Sequence, residues 1–88
     1  MDQEISDKNG RPILVGTRVR VLAIPPIDPD LSEEEVARVN SMLGEEFNVY
    51  EIDVHGRAWV EKWWHIGADS STSHSLALES RDMERVDA

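Results

Sequence analysis

The sequence predicts a mainly β fold: a small, strongly bent antiparallel barrel of five strands, with one short α-helix inserted in its first long loop. Three observations favour this fold. The chain has 88 residues, which is enough for a single modest core. Its apolar residues recur mostly with the period of two that is typical of strands. One stretch, at about residues 32–43, instead shows helical spacing and complete start signals.

The chain is predicted to consist of a leader and a single domain. Residues 1–12 are polar and include the turn-forming pair Asn9-Gly10, which is typical of a flexible N-terminal leader. Residues 13–87 carry the periodic apolar pattern, so the barrel domain is placed there. There is no internal repeat that would indicate a second unit.

The first strong element is a strand predicted over residues 13–24, with the sequence ILVGTRVRVLAI. Its β-branched residues favour a strand over a helix. Gly16 predicts a bend or a bulge within it. Pro25-Pro26 ends the strand because proline lacks the N–H donor that a sheet ladder needs. Alternate residues are expected to share the buried face: Val15, Thr17, Val19, Val21 and Ala23.

The helix at about 32–43 has well-defined ends. Ser32 is the predicted N-cap and Glu35 stands three residues later, which makes an S-x-x-E capping box. The first turn is acidic, as the helix dipole favours. Gly44 is the predicted stop. The residues expected on its buried face are Val36, Val39 and Leu43.

The rest of the chain predicts short strands joined by turns. The segment EFNVYEIDV alternates imperfectly, so a bulge is expected near Val49-Tyr50. A polar loop rich in serine separates the two strands that follow. In chain order, the predicted elements are a strand at 46–54, a turn at His55-Gly56, a strand at 57–64, a loop at 67–73, a strand at 74–79, a turn at 80–82 and the closing MERV segment.

Acidic residues outnumber basic ones by 18 to 9, for a formal net charge of −9. Phosphate groups are bound by Lys and Arg, so this balance argues against nucleic acid or an anionic membrane surface as the main partner. Residues 28–53 contain nine acids and a single base, Arg38. That segment is either a solvated face that keeps the protein soluble or a surface that steers a basic partner.

Cysteine is absent from the chain, which excludes a disulfide framework and a thiol nucleophile. The N-terminal segment lacks the basic start and apolar run of a signal peptide. The longest nearly continuous apolar stretch, residues 19–27, is too short to span a membrane. A cytoplasmic protein that does not bind membranes is therefore expected.

The tryptophans are the best candidates for binding. In a regular strand Trp59, Glu61 and Trp63 point to one side, opposite the core residues Ala58 and Val60. A partly exposed pair of tryptophans flanked by charge is typical of a protein-interaction hot spot. Alternatively, both rings cover the open end of the barrel against the loop helix. The predicted partner-binding residues are Trp59 and Trp63, together with Asp30, Glu33 and Glu34 from the acidic helix.

No catalytic or metal-binding pattern is present. The histidines, His55, His65 and His74, lack the short spacing of a zinc site. The acidic helix lacks the alternating oxygens and the glycine of a calcium loop. The serine-rich loop lacks G-x-S-x-G, and nucleotide-binding glycine motifs are missing as well. We therefore expect no cofactor, no metal and no enzymatic activity.

The arginines of the N-terminal half provide an alternative function. Arg11, Arg18 and Arg20 could form a basic stripe, to which Arg57 would add a further charge. Such a stripe would suit a barrel associated with nucleic acid. The strand arginines are expected instead to pair with nearby acids.

The order of these elements resembles the small SH3-like barrels. VGTRVRVLA is similar to their first strand, LGEEFNVYEID to the glycine-led second strand and GRAWVEKW to the third, while SHSLALESRDMERV is similar to the closing strand, helical turn and last strand. Within that fold, the chain is most similar to the electron-transport accessory group. This group includes the photosystem I accessory subunit and the variable chain of ferredoxin–thioredoxin reductase, and the nitrile hydratase β subunit carries a related barrel.

The resemblance implies a non-catalytic accessory module that docks on a larger protein, and it carries over no catalytic residue. The capped acidic helix is not a standard element of the photosystem subunit, and the nucleic-acid-binding relatives are usually basic. The sequence therefore predicts a monomeric, protein-binding module whose partner is not specified.

Overall fold

The computed structural model describes residues 5–86, and these residues form a mainly β architecture with one α-helix. The strands are β1 (Ile5–Ser6), β2 (Pro12–Ile13), β3 (Arg18–Val21), β4 (Glu46–Asn48), β5 (Glu51–Ile52), β6 (Ala58–His65), β7 (Ser71–Leu78) and β8 (Met83–Arg85). The helix α1 (Glu33–Asn40) lies between β3 and β4, and a 3-10 turn (Ser80–Asp82) precedes β8.

The strands pair in antiparallel fashion in three sheets. β1 pairs with β2, the second sheet has the order β4-β3-β8, and the third has the order β5-β6-β7. The longest ladder joins β6 to β7, in continuous register from the pair Ala58 and Leu78 to the pair His65 and Ser71. The hydrogen-bonded ladders within residues 5–86 thus give eight strands in three sheets, which confirms the mainly β class. These ladders by themselves do not close into the five-stranded barrel that the sequence predicted.

The core lies between the two three-stranded sheets and the helix. Alternation places Val19 and Val21 of β3 inside, as predicted, and Ala58 and Val60 of β6 likewise. Trp64 is partly buried and packs against the core. The buried apolar residues are Ile13, Val19, Val21, Val39, Met42, Val49, Ala58, Val60, Leu76, Leu78 and Met83.

The predicted strand at 13–24 is broken at Gly16. Gly16 has a φ of 94°, and Thr17 N donates to Leu14 O across a turn. Gly16 N donates to Val49 O, so the turn is tied to the segment before β5. Because this turn ends the period of two, Val15 is exposed and does not join the core as predicted. Ala23 follows the end of β3 and is exposed as well, so its predicted place in the core is also wrong.

The segment 5–12 is part of the fold, where the sequence predicted a flexible leader over 1–12. β1 pairs with β2, and Lys8 N donates to Met83 O of β8. Asp7 is only 2% exposed, and its carboxylate is hydrogen-bonded to backbone N–H groups. The composition is polar because the turn between β1 and β2 is exposed, while one buried carboxylate organises it. The remainder of the predicted leader, residues 1–4, lies outside the described residues.

The helix forms as predicted at its N-terminus and ends earlier at its C-terminus. Ser32 Oγ accepts from Glu35 N at 3.2 Å and Glu35 Oε2 accepts from Ser32 N at 3.3 Å, which confirms the capping box. After Asn40 the backbone tightens into i to i−3 bonds, including Met42 N to Val39 O. This tightening turns Met42 into the core and leaves Leu43 53% exposed, so the predicted buried face at 43 is wrong.

The predicted strand at 46–54 contains the expected irregularity. Both Tyr50 and Glu51 lie opposite Trp59: Tyr50 N donates to Trp59 O, and Glu51 is the register partner of Trp59. Two residues opposite one define a β-bulge. The bulge buries Val49 and turns Tyr50 outward, where it is 48% exposed.

The serine-rich segment extends a strand further than the sequence predicted. β7 begins at Ser71, so residues 71–73 belong to the sheet and not to the predicted loop at 67–73. The remaining loop is short and closes with a hydrogen bond from Ile66 N to Ser70 O. Pairing with β6 overrides the weak strand propensity of serine.

No helix within residues 5–86 is long and apolar enough to cross a membrane.

Candidate functional site

The outer surface of the β5-β6-β7 sheet carries the aromatic side chains that the sequence singled out. Strand alternation places Trp59, Glu61 and Trp63 of β6 on the side opposite the buried Ala58 and Val60. Small residues of β7 lie beside them in register. We call this surface the tryptophan face and define it by Tyr50, Trp59, Glu61, Trp63, Ser73, Ser75 and Ala77.

Trp63 is the most prominent side chain of the tryptophan face. It is 59% exposed, so the loop helix does not cover it. Its indole Nε1 donates to Glu61 Oε1, and Glu61 Oε2 accepts from Ser75 Oγ at 3.3 Å. Tyr50 Oη in turn donates to Ser75 Oγ at 3.3 Å. The face therefore presents two exposed aromatic rings linked through one carboxylate and one hydroxyl.

Trp59 is held more tightly than Trp63. It is partly buried, and its Nε1 donates to Asp53 Oδ2 at 2.9 Å. The backbone N–H of Arg57, the Trp59 indole and the backbone N–H of His55 hold the pKa of the Asp53 carboxyl below its usual value. Asp53 thus stays ionised and fixes the Trp59 ring beside the turn that joins β5 and β6.

A groove opens beside Trp59 at the edge of β7. It has a volume of about 750 Å³ and is bordered by the segment 23–26 on one side and by residues 75–77 on the other. Arg57 and Arg81 line it together with Glu79, and Arg81 pairs with Glu79 at 3.3 Å. Proline and tryptophan side chains contribute apolar surface to the groove, and arginine and acidic side chains contribute charge.

The acidic residues of the helix region are not joined to the tryptophan face. Asp30, Glu33 and Glu34 are exposed. Glu34 lies 4.0 Å from Arg38 in an i,i+4 pair, and Asp30 N donates to Asp28 Oδ1 at 2.9 Å. Among residues 5–86, no hydrogen bond or ion pair connects these acids to Trp59 or Trp63. The two halves of the predicted binding surface are therefore separate features of the structure.

The strand arginines of the predicted basic stripe are paired with acids. Arg18 Nε and an Arg20 guanidinium nitrogen each lie 2.9 Å from a Glu46 carboxylate oxygen, and Arg20 also lies 3.7 Å from Glu84. These charge-assisted bonds from Arg18 and Arg20 hold the pKa of Glu46 below its usual value. Arg11 donates to Arg85 O at 3.3 Å. The pairing of Arg18 and Arg20 with acids is as expected from the sequence and weakens the case for a phosphate-binding stripe.

The histidines are placed apart from one another. His55 lies in the turn after β5, His65 ends β6 and His74 lies within β7. Within the described part of the chain, no three His, Cys, Asp or Glu side chains come together in a way that could hold a metal ion. His74 packs edge-on against Trp64, with ring centroids 5.7 Å apart.

Sequence reasoning missed two contributors to the tryptophan face. Tyr50 was not singled out, because the pattern alone does not show to which side of the sheet a residue at the bulge points. Ser73 was assigned to a loop. The signal that was available is composition: an eight-residue run without charge, 71–78, follows a strand of matching length.

Comparison of the chain with models of known protein families, with curated proteins and with solved structures found no match.

Proposed function

We propose that the protein is a small non-catalytic interaction module that docks on a larger protein through the tryptophan face. The exposure of Trp63 carries this proposal: an indole that is 59% exposed beside a second exposed aromatic ring forms a surface that gains from being covered. Tryptophan and tyrosine are the residue types that most often dominate binding energy. The resemblance to SH3-like barrels of the accessory type agrees with this role. We also propose that the chain adopts this SH3-like barrel fold.

The electrostatics of the described residues favour a protein over nucleic acid as the partner. Arg18 and Arg20 are already paired with Glu46, and the whole chain carries a net charge of −9. A polyanion would have to displace these acids and overcome the total charge. We propose a cytoplasmic module whose partner is basic where it meets the acidic segment 28–53.

Binding to the partner tests the proposal. The full chain is immobilised, proteins retained from the native lysate are identified, and one retained protein is then purified for a direct measurement of Kd. Trp63→Ser should weaken binding at least about tenfold, which is typical of a hot-spot tryptophan. Val54→Ser is the matched control, since it removes another apolar side chain, 78% exposed, from the turn after β5. Equal Kd values for wild type and Trp63→Ser would rule out the tryptophan face as the docking surface.

A further inference from the structure

β7 is an edge strand of the β5-β6-β7 sheet. It spans eight residues, Ser71–Leu78, and pairs on one side with β6 along its whole length. Sheet edges in natural proteins are usually protected by charge, proline, a bulge or shortness. β7 contains no charged residue and no proline, and its register with β6 runs without interruption. It is thus an unusually long edge without the common protections.

The direction of the backbone groups of β7 follows from the hydrogen bonds of β6. Tyr50 N donates to Trp59 O and Asp53 N donates to Arg57 O, so alternate residues of β6 face β5. The intervening residues, beginning with Ala58, face β7. The register partners of these residues in β7 direct their backbone N–H and C=O groups toward β6. The residues whose N–H and C=O groups point away from β6 are consequently Ser71, Ser73, Ser75 and Ala77.

Nothing in residues 5–86 pairs with those outward groups. The sheet order ends at β7, and the backbone hydrogen bonds outside the regular strands include none from the four residues. The groove described above runs beside the same edge, between residues 75–77 and the segment 23–26. Unpaired backbone groups along an open groove are the template on which an extended segment adds as a further strand.

The charge of Glu61 indicates which kind of side chain such an added segment carries. Glu61 lies in the row of β6 directly opposite Ser75 and is exposed between Trp59 and Trp63. Within residues 5–86 no cation lies within ion-pair distance of Glu61. A residue added opposite Ser75 would stand about 10 Å from the Glu61 backbone, two strand spacings away. Serine is short, so a long Lys or Arg side chain can cross it to reach the Glu61 carboxylate.

A second copy of this chain fits the edge poorly. The β7 sequence, STSHSLAL, has no Lys or Arg to offer to Glu61. Two copies would also bring together net charges of −9 each. We therefore propose that the β7 edge binds an extended segment of a partner protein by strand addition, with a Lys or Arg of that segment opposite Ser75. The proposal rests on the proposed docking function and names the chemistry of the partner.

The test uses the full chain and a synthetic probe, the blocked peptide Thr-Val-Thr-Lys-Thr-Val-Thr, titrated while backbone amides are observed by NMR. The peptide, with its Lys opposite Ser75, spans residues 72–78, so the expected result is slowed exchange of the amides of Ser73, Ser75 and Ala77, with the inward amides of β7 unchanged. A peptide with Glu in place of Lys should bind about fivefold more weakly or worse. N-methylation of the edge-facing peptide amides should abolish binding.

Two variants make the test specific. Ser73→Pro removes one outward N–H, which an edge strand tolerates, and should abolish peptide binding. Glu61→Gln leaves the backbone edge intact and should weaken binding of the Lys peptide about two- to fivefold while leaving a neutral peptide unaffected. Glu34→Gln is the matched control, because it removes the same charge from the exposed helix surface.

Three outcomes would overturn the proposal. One is the absence of amide changes at millimolar peptide, and another is equal peptide binding by wild type and Glu61→Gln. The third is concentration-dependent protection of the same amides without peptide, which would identify the occupant as a second copy. If Trp63→Ser still loses the partner in any of these cases, the interaction function stands and only strand addition at β7 fails.

Discussion

Asp7 and Arg85 are 78 positions apart in the chain, and Asp7 Oδ2 accepts the backbone N–H of Arg85 at 2.7 Å. The other carboxylate oxygen, Oδ1, accepts from Asn9 N and Arg11 N, each at 2.9 Å. One buried side chain therefore connects the β1-β2 turn to the closing strand β8. Burial raises the pKa of Asp7, but the three backbone donors and the Arg11 charge together outweigh it, and the pKa lies below its usual value.

Stability should depend on the ionisation of Asp7. Because the folded-state pKa is lowered, the contribution of Asp7 to the free energy of unfolding is complete above its ordinary pKa and is lost as the pH falls through the lowered value. Asp7→Asn should lower the free energy of unfolding by about 2 kcal/mol at neutral pH. The amide keeps only one, uncharged, acceptor oxygen and places an NH2 donor where a carboxylate oxygen accepted a backbone N–H. Urea denaturation at about pH 7, 4 and 2.5 should show a smaller acid loss in the variant. Asp69→Asn, in an exposed loop, should match wild type, and equal acid losses in both variants would contradict the role of Asp7.

Substitution of the two tryptophans of the tryptophan face should change the free energy of unfolding by different amounts. Trp63→Ser should change the free energy of unfolding by less than about 0.5 kcal/mol, because the ring is largely exposed. Trp59→Ser should cost about 2 kcal/mol, because the ring is partly buried and its Nε1 bonds to Asp53. Chemical denaturation of both variants measures the difference. A large loss in Trp63→Ser would show that its role is structural.

Tryptophan fluorescence should report the exposure of Trp63 directly. Iodide quenches exposed indoles, so wild type should contain one readily quenched component. Trp63→Phe should remove that component, whereas Trp64→Phe should leave it, because Trp64 packs against the core edge. Uniform protection of all tryptophans in the monomer would contradict the exposed surface on which the proposed function depends.

The histidine of β7 should be replaceable with a gain in stability. His74 Nε2 is buried and, among the described residues, has no hydrogen-bond partner. An unsatisfied buried polar atom costs about 1 to 3 kcal/mol. His74→Phe keeps a ring against Trp64 and removes that atom, so the free energy of unfolding should rise by about 1 kcal/mol. His65→Phe at the exposed end of β6 is the control, and a loss of stability in His74→Phe would indicate that Nε2 is satisfied by water.

The capping box should account for a measurable part of helix stability. Ser32→Ala removes the acceptor for Glu35 N and should cost about 1 kcal/mol. Ser32→Asp retains an N-cap acceptor and should restore most of the loss. Thermal unfolding followed by far-UV circular dichroism provides the measurement. If Ser32→Ala and wild type unfold at the same temperature, α1 is held by packing against the core and not by its N-cap.

Local signals in the sequence were sufficient for several elements. The mainly β class, the start of α1 at its capping box, the bulge before β5 and the inward direction of Ala58 and Val60 all depend on neighbouring residues and are confirmed. The same holds for the pairing of Arg18 and Arg20 with acids, which only required a nearby partner.

Other features depend on contacts between segments that are distant in the chain, and these could not be predicted from neighbouring residues. Asp7 was predicted to lie in a polar leader, because the donor that joins it to β8, Arg85 N, stands at the far end of the sequence. Residues Ser71–Ser73 belong to a strand because β7 pairs with β6 along its full length. This pairing outweighs the low strand propensity of serine. Trp63 is exposed, while the helix packs into the core through Val39. No local pattern shows which surface of the sheets the helix covers. Elements with short-range causes were therefore predictable from the sequence, whereas the surfaces that stay uncovered depend on how distant segments pack together.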